Sequence, residues 1–463
     1  MFARQRQKQI FEQRQQSVND SECGIDENPP LIATKISDDT KCRKCEEQET
    51  VIVLRGKDAY CKSCFLASAT HKFRATLGKS KIVRPNDNVL VAHSGKTGST
   101  ALLHLIRAGM HESVHKKLVF KTTVLYIDEG ILESKTLVQR KETLERISDQ
   151  IEQLGFRGFV TTINESLSES EPIIWPMDSP ILKEKEPIQI TFKSISSQTA
   201  KEDLLHKLRN RLLIHAARQL NCTKIFTGDS ATDLSIAILS NFSMGRGAHL
   251  SLDVGFADTR YSDIMLLRPM RNFTNKEMAY YLRFHDLEVP RSGGTSTKED
   301  AHVSIQKLME KFVTDLDSEF HGTVSTIFKT GEKLSSMNSE QKLERVCALC
   351  NASLDTKVSE EVSAIQTTDY SQLVSTSSVI AKEEEIESKV ENNCNGDCSC
   401  QKTCGEKGET SDLEILRKCL CYGCRLILSS FKDEKAVPSF ILSAAKSAIS
   451  FEKMHGEIAG FLL

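Results

Sequence analysis

Asn88-Val-Leu-Val-Ala-His-Ser-Gly-Lys-Thr-Gly-Ser-Thr100, continued by Ala101-Leu-Leu-His-Leu-Ile106, decides the fold. Val89 to Ala92 is a short apolar run that breaks at a Ser/Gly-rich turn. A helical period then takes over, with Leu102, Leu103 and Ile106 on one face. Strand, tight loop, helix is the unit that aims loop amides and a helix N-terminus at an anion.

The alternation repeats outward from this unit. Val124-Leu-Tyr-Ile127 and Gly158 to Ile163 read as further strands, with the charged helical period of Leu137 to Leu154 between them. Lys201 to Leu220 predicts an amphipathic helix with Leu204, Leu205, Leu208, Leu212, Ala216 and Leu220 in register. Lys224-Ile-Phe-Thr227 is another strand, ending at Gly228-Asp229, and Leu234 to Leu239 begins the next helix. Strands alternating with helices predict an α/β fold around a doubly wound parallel sheet spanning 87–300. An acidic, Pro-containing loop over 163–187 interrupts the alternation.

The flanks divide as follows. Residues 1–40 are polar and expected to be disordered. Residues 41–70 form a compact cysteine module, and 71–86 a basic connector. After the α/β domain, 301–350 reads as helical and ends in a Cys-x2-Cys pair. Residues 351–412 are rich in Ser, Thr, Glu and Lys and are expected to be disordered. Residues 413–463 form a C-terminal cysteine module. No internal repeat relates the two halves.

With 463 residues, the chain is long enough for a sizeable buried core. Hydrophobic content of 39% and charged content of 27% are ordinary for a soluble protein. Net charge is −2, so nucleic-acid binding needs a local basic patch, not a global field. No apolar run approaches the roughly 20 residues of a membrane-spanning helix, and no membrane partner is expected. Met1 to Lys8 is basic and Gln-rich, without the apolar core of a secretory signal. Glu12 and the scarcity of Ser speak against a transit peptide, which leaves a cytoplasmic expectation.

Fifteen cysteines in such a chain point to metal before disulfides. Cys42-x2-Cys45 and Cys61-x2-Cys64, fifteen residues apart, supply four thiolates in two turns, the pattern of a tetrahedral zinc ribbon. Four thiolates leave no open position, so the expected zinc is structural. Cys347-x2-Cys350 and Cys421-x2-Cys424 make a second quartet, separated by 70 residues. Cys419 is a spare or substitute ligand. Cys394, Cys398, Cys400 and Cys404 could bind metal together or form a Cys-rich tract with no fixed role.

The 94–99 loop is not a Walker A motif, which needs a glycine where Leu90 stands. Ser94-Gly95-Lys96-Thr97-Gly98-Ser99 instead resembles the SGGxDS loop of the PP-loop ATP pyrophosphatases, which adenylate a substrate and release pyrophosphate. By that resemblance Ser94, Gly95, Lys96 and Ser99 are the candidate cofactor contacts. Lys96 replaces the second glycine and Gly98 replaces the aspartate. A non-glycine residue costs about 1 kcal/mol or more where φ must be positive. The lost carboxylate could have held Mg²⁺ or oriented the nucleotide, so the changes speak against ATP binding. Lys96 could meet a phosphate as a point charge, or the loop could be a plain strand–helix turn.

Further segments carry the resemblance. Tyr126-Ile-Asp-Glu-Gly130 is similar to the family's second strand end, and Phe226-Thr-Gly-Asp-Ser-Ala-Thr-Asp233 to its second nucleotide-facing segment with the usual polar residues changed. Arg268-Pro-Met-Arg271 with Asn275-Lys-Glu-Met-Ala-Tyr280 resembles a segment of the tRNA-thiolating branch. The N-terminal cysteine module, His71-Lys-Phe-Arg-Ala-Thr-Leu-Gly78, Gly245-Arg-Gly247, Val346-Cys-Ala-Leu-Cys350 and Leu420-Cys-Tyr-Gly-Cys-Arg425 narrow it. Together they resemble the cytoplasmic tRNA 2-thiolation protein 2 family over roughly 41–450, outside 163–190 and 351–412.

The resemblance implies a tRNA-binding subunit that pairs with a catalytic PP-loop thiolase of the cytoplasmic tRNA 2-thiolation protein 1 type. The pair would place sulfur on the wobble uridine, U34, of tRNAs for Lys, Glu and Gln. A thiocarboxylated ubiquitin-related modifier would supply it. Catalytic members carry cysteines inside the PP-loop domain, one of them in a CxxC ahead of an Arg-rich helix. Here the equivalent stretch, Ser196 to Leu205, has none, and Cys222 is the only cysteine between 87 and 300. No catalytic residue is therefore expected. Two alternatives stand beside this reading: a self-sufficient adenylating and thiolating enzyme, and a zinc-bearing adaptor without nucleotide chemistry.

Lys72, Arg74, Lys79, Lys81 and Arg84 carry positive charge with no acid between them. They form either a solvated linker or a tRNA phosphate patch. Arg246, between two glycines, either meets phosphate or closes a turn.

Overall fold

The computed structural model describes residues 41–111, 117–291, 303–334, 345–354 and 412–459. The segments expected to be disordered, 1–40 and nearly all of 351–412 with its four cysteines, lie outside them.

A two-stranded hairpin, β1 (Ile52–Leu54) and β2 (Asp58–Tyr60), leads into helix α1 (Lys62–Ser80). The α/β domain follows as β3 (Asn88–Ala92), α2 (Thr97–Met110), β4 (Lys121–Asp128), α3 (Leu137–Gln153), β5 (Arg157–Thr162) and β6 (Trp175–Pro176). It continues with α4 (Ile188–Ser194), α5 (Gln198–Gln219), β7 (Lys224–Phe226), α6 (Ala231–Ser243), α7 (Leu250–Val254), β8 (Ala257–Asp258), β9 (Met265–Leu267) and α8 (Asn275–Phe284). Helices α9 (Ile305–Glu319), α10 (Thr323–Lys333), α11 (Asp412–Cys419), α12 (Tyr422–Ser429) and α13 (Ser439–Ala459) complete the described chain.

The sheet runs β6-β5-β4-β3-β7-β9-β8. Its five inner strands are parallel, and the two short edge strands are antiparallel. Side chains alternate between two cores. Val89 and Val91 pack with α1, α2, α3 and α8, whereas Leu90 faces α5 and the C-terminal module. Helices therefore cover both faces, as expected of a doubly wound sheet. The strand order reverses between β3 and β7. In such sheets the crevice for ligands opens there, beyond the carboxyl ends of the strands.

Two expectations are corrected. Residues 71–80 are not a connector but the second half of α1, whose Phe65, Ala69, Phe73 and Leu77 are buried at four-residue spacing. The 163–187 segment is not wholly loop. It supplies edge strand β6, and Lys183 and Glu186 meet the buried guanidinium of Arg140, which also bonds Asp128 at 2.7 Å.

Candidate functional site

The 94–99 loop joins β3 to α2 at the switch point. Gly95 takes φ of +71°, the left-handed conformation its missing Cβ permits. The loop's hydroxyls turn on one another. Ser99 Oγ lies 3.1 Å from Ser94 Oγ, accepts the Ser94 N–H at 3.2 Å and donates to the Lys96 carbonyl at 3.0 Å. Gly98 explains its own identity. Any Cβ there would be driven into the carbonyl oxygen of Gly228, in the loop after β7. A Cβ on Gly228 would in turn lie 2.6 Å from Gly98 C and Ser99 N. The two loops meet backbone to backbone across the switch point, and no carboxylate can be carried at position 98 without parting them.

An ion network stands over the loop. Arg209, on α5, grips Glu129 with bonds of 2.6 and 3.0 Å. Arg291 pairs with Glu133, approaches Glu129 at 3.8 Å, and donates its backbone N–H to the Gly95 carbonyl at 3.0 Å. Partial desolvation, then repulsion from Arg291 and Arg209, lower the pKa of Lys96, while Glu129 and Glu133 oppose the shift. Glu129 is held below the usual carboxylate range against the cost of its burial, chiefly by Arg209. Three cations, Lys96, Arg209 and Arg291, thus share two carboxylates, Glu129 and Glu133, in this mouth. Of the four predicted contacts, Ser94, Gly95 and Ser99 come together as the loop itself, and Lys96 stands beside this network. Arg209 and Arg291 carried no local sequence signal, because their partners are 80 and 158 residues away.

The predicted cysteines assemble into two quartets. Cys42, Cys45, Cys61 and Cys64 converge, as do Cys347, Cys350, Cys421 and Cys424, with all four sulfurs of each within 4.8 Å. All eight thiols are free of disulfides. Four thiolates at about 2.3 Å around a tetrahedral ion lie about 3.8 Å apart. Cys45 and Cys61 are 3.9 Å apart, and Cys350 and Cys421 are 3.7 Å apart. Each quartet could hold a metal ion. In the first, backbone N–H groups of Cys45, Cys61 and Lys44 outweigh desolvation and lower the pKa of Cys42 to about 6, favouring the ligating thiolate.

The quartets share one construction. In each, the first pair lies in a turn closed by a bond to the first cysteine's carbonyl: Glu46 N–H to Cys42 at 2.8 Å, Asn351 N–H to Cys347 at 2.9 Å. The donating residue has positive φ in both, 59° at Glu46 and 54° at Asn351. The second pair opens a helix: Cys61 holds the N-cap position of α1 and accepts the Cys64 N–H, and Cys421 holds the N-cap position of α12. Their settings differ. Cys45 and Cys64 are partly exposed, whereas all four cysteines of the second quartet are buried in the core that backs α5. Cys419 is not a ligand; its thiol faces the Ala445 carbonyl at 3.6 Å. Cys222 is a buried core residue, as expected.

The second module docks beside Ser196 to Leu205, a stretch without cysteines. Ser196 N–H bonds the Ser430 carbonyl and Lys432 N–H bonds the Ser194 carbonyl, both at 2.9 Å. Arg246 locks the joint. It is buried, forms a forked pair with Asp203 on α5, and reaches the Gly423 carbonyl at 3.3 Å. That overturns the phosphate reading of Arg246: both its terminal nitrogens are engaged within the fold, and its Nε is buried. Lys72 is likewise turned inward, pairing with Glu277 and lying 4.9 Å over the Phe273 ring. Of the other predicted cations, Lys79, Lys81 and Arg84 are exposed and Arg74 is half-buried.

Comparison with known proteins places this architecture. The family model described as "Cytoplasmic tRNA 2-thiolation protein 2" matches residues 304–426, the span holding the second quartet. A protein of that name from Danio rerio is 31% identical, covering 91% of this chain and 94% of its own length. The Homo sapiens protein of the same name is 30% identical over 91% of this chain and 92% of its own. Among solved structures, the U34-tRNA thiolase NcsA from Methanococcus maripaludis with its [4Fe-4S] cluster aligns with a TM-score of 0.49 and 16% identity. The alignment covers 69% of this chain and 94% of that one.

Proposed function

The chain belongs to the cytoplasmic tRNA 2-thiolation protein 2 family, and from that membership we propose that it is the non-catalytic, tRNA-binding subunit of a cytoplasmic wobble-uridine thiolase. Its partner is a catalytic PP-loop subunit, the tRNAs are those for Lys, Glu and Gln, and the sulfur comes from a thiocarboxylated ubiquitin-related modifier. The observation that carries the reading is the contact of Gly98 with Gly228. It leaves no room for the carboxylate of the nucleotide loop, at the point where the fold would receive ATP. The cysteine inventory agrees: between 87 and 300 the chain has only Cys222, and that thiol is buried.

Both quartets hold zinc in this reading. Four thiolates close the coordination shell, so the metal supplies shape, not chemistry. The first quartet folds a ribbon too small for a core of its own, and the second fastens the C-terminal helices to α5. Arg74, Lys79, Lys81 and Arg84, on and just beyond α1, contribute the phosphate contacts.

The test is a cell line lacking this chain. U34 thiolation should vanish, and it should return with the full chain but not with the catalytic subunit alone. Persistence of 2-thiouridine in the null line would overturn the reading.

A further inference from the structure

The cations of α1 border a cleft of about 1040 Å³. It lies at the amino ends of the parallel strands, where Arg84 precedes β3 and Lys117 to Phe120 precede β4. The 94–99 loop is at the opposite, carboxyl end of the same sheet. The cleft is therefore separate from the nucleotide position of the fold.

Its lining is one-signed. Arg74, Arg84 and Lys117 contribute cations to the wall beside His71 and His285, and among the described residues no carboxylate lines it. Two described acids on the neighbouring segments are engaged elsewhere. Asp87 pairs with Lys224 at 2.7 Å and accepts the Arg84 backbone N–H, and Glu277 pairs with Lys72. Phosphate contact explains only part of this surface, because the floor is apolar, with Leu77 and Phe120. One wall is aromatic. The exposed His285 ring leans at a tilt on buried Tyr281, 4.7 Å away, and on His104, 4.5 Å away, and Tyr281 OH meets His104 Nδ1 at 2.9 Å. Cationic rim, apolar floor and the exposed His285 ring match an unstacked base with its flanking phosphates. The volume suits such a guest, at the upper end of the roughly 300–1,000 Å³ typical of small-ligand sites. A paired RNA helix cannot enter it.

We propose that this cleft takes an unpaired nucleotide of RNA, the base against the His285 wall and the phosphates on Arg74, Arg84 and Lys117. The proposal rests on the tRNA-binding reading and adds where, and in what conformation, the RNA is gripped.

The test uses the full chain and three labelled probes: a short oligouridylate, an RNA duplex and a tRNA. Ala75→Trp fills the cleft from an exposed helix position. Gly78→Glu adds a carboxylate to the rim, at a position where a Cβ meets nothing within 4 Å. The oligouridylate should bind in preference to the duplex. Each substitution should weaken that binding by at least about tenfold while melting temperature and metal content hold. If Ala75→Trp fails to fold, Gly78→Glu decides. Unchanged oligouridylate binding in the folded variants overturns the proposal, and so does equal binding of the duplex. Should tRNA bind while oligouridylate does not, the cleft assignment fails and the tRNA reading stands. Should no RNA bind at all, both fail.

Discussion

Gly98, in the first turn of α2, and Gly228, in the loop after β7, are in backbone contact: a Cβ on Gly228 would lie 2.6 Å from the carbonyl carbon of Gly98. The pair turns the departure from the nucleotide-loop pattern into a packing requirement. Lys96 and Gly98 belong to a loop closed by its own hydroxyls and overhung by Arg291, whose Cβ would lie 3.1 Å from a Cβ on Gly95.

Restoring the missing carboxylate should therefore harm the protein without repairing it. Gly98→Asp drives a side chain into the 228 backbone, and overpacking of this kind costs roughly 1–3 kcal/mol. Urea denaturation should show a lower midpoint, and ATP should not recover it. A stable variant that gains ATP-dependent thermal protection would refute the packing argument.

The purified single chain should show no ATP–pyrophosphate exchange, with or without tRNA. Position 98 carries no carboxylate to orient a nucleotide or its metal, and the contact of Gly98 with Gly228 leaves no room for one. Robust tRNA-dependent pyrophosphate release would favour the self-sufficient enzyme instead.

Metal analysis should find about two zinc per chain, one for each quartet. Cys45→Ser and Cys424→Ser should each remove about one. Their structural costs should differ. Loss at the partly exposed first quartet should leave the α/β domain cooperative. Loss at the buried second quartet should lower the melting temperature of the whole chain. Equal thermal shifts for the two variants would show that burial does not set the difference.

The basic residues should separate by orientation. Replacing Arg74, Lys79, Lys81 and Arg84 by Ser should weaken tRNA binding and flatten its salt slope, by about 0.7–0.9 for each phosphate left unneutralised. Arg246→Ala should act on stability, since it strands buried Asp203, at a cost of roughly 3–5 kcal/mol. Chemical denaturation and a filter-binding salt titration on both proteins give the comparison. A preserved salt slope in the fourfold variant would return the segment to the role of a solvated surface.

Much of this architecture was legible in the chain. Parallel strands buried on both faces need continuous apolar runs, so Val89–Ala92 and Val124–Ile127 stood out. The cysteine pairs were legible because tetrahedral thiolate sites impose a spacing. The edges were not: Trp175–Pro176 and Ala257–Asp258 are two residues each, too short to show a period. Helix α1 was hidden by its cations, which drew a boundary at residue 70 through the steady spacing of Phe65, Ala69, Phe73 and Leu77. Arg246 could not be read at all. Its role depends on Asp203, 43 residues away, and on Gly423, 177 residues away.

The second quartet also acts on the chain's conformational freedom. Cys350 and Cys421 stand 71 positions apart in sequence, yet their sulfurs are 3.7 Å apart. An ion shared between them is a reversible cross-link across a long loop. On the loop-entropy account, a link of that span removes about 4 kcal/mol of disorder from the unfolded chain. Because this term grows only with the logarithm of loop length, doubling the intervening segment costs about 0.6 kcal/mol. Changing the length of the stretch between the two pairs would thus alter this term little, whereas losing a cysteine that closes it would remove the term.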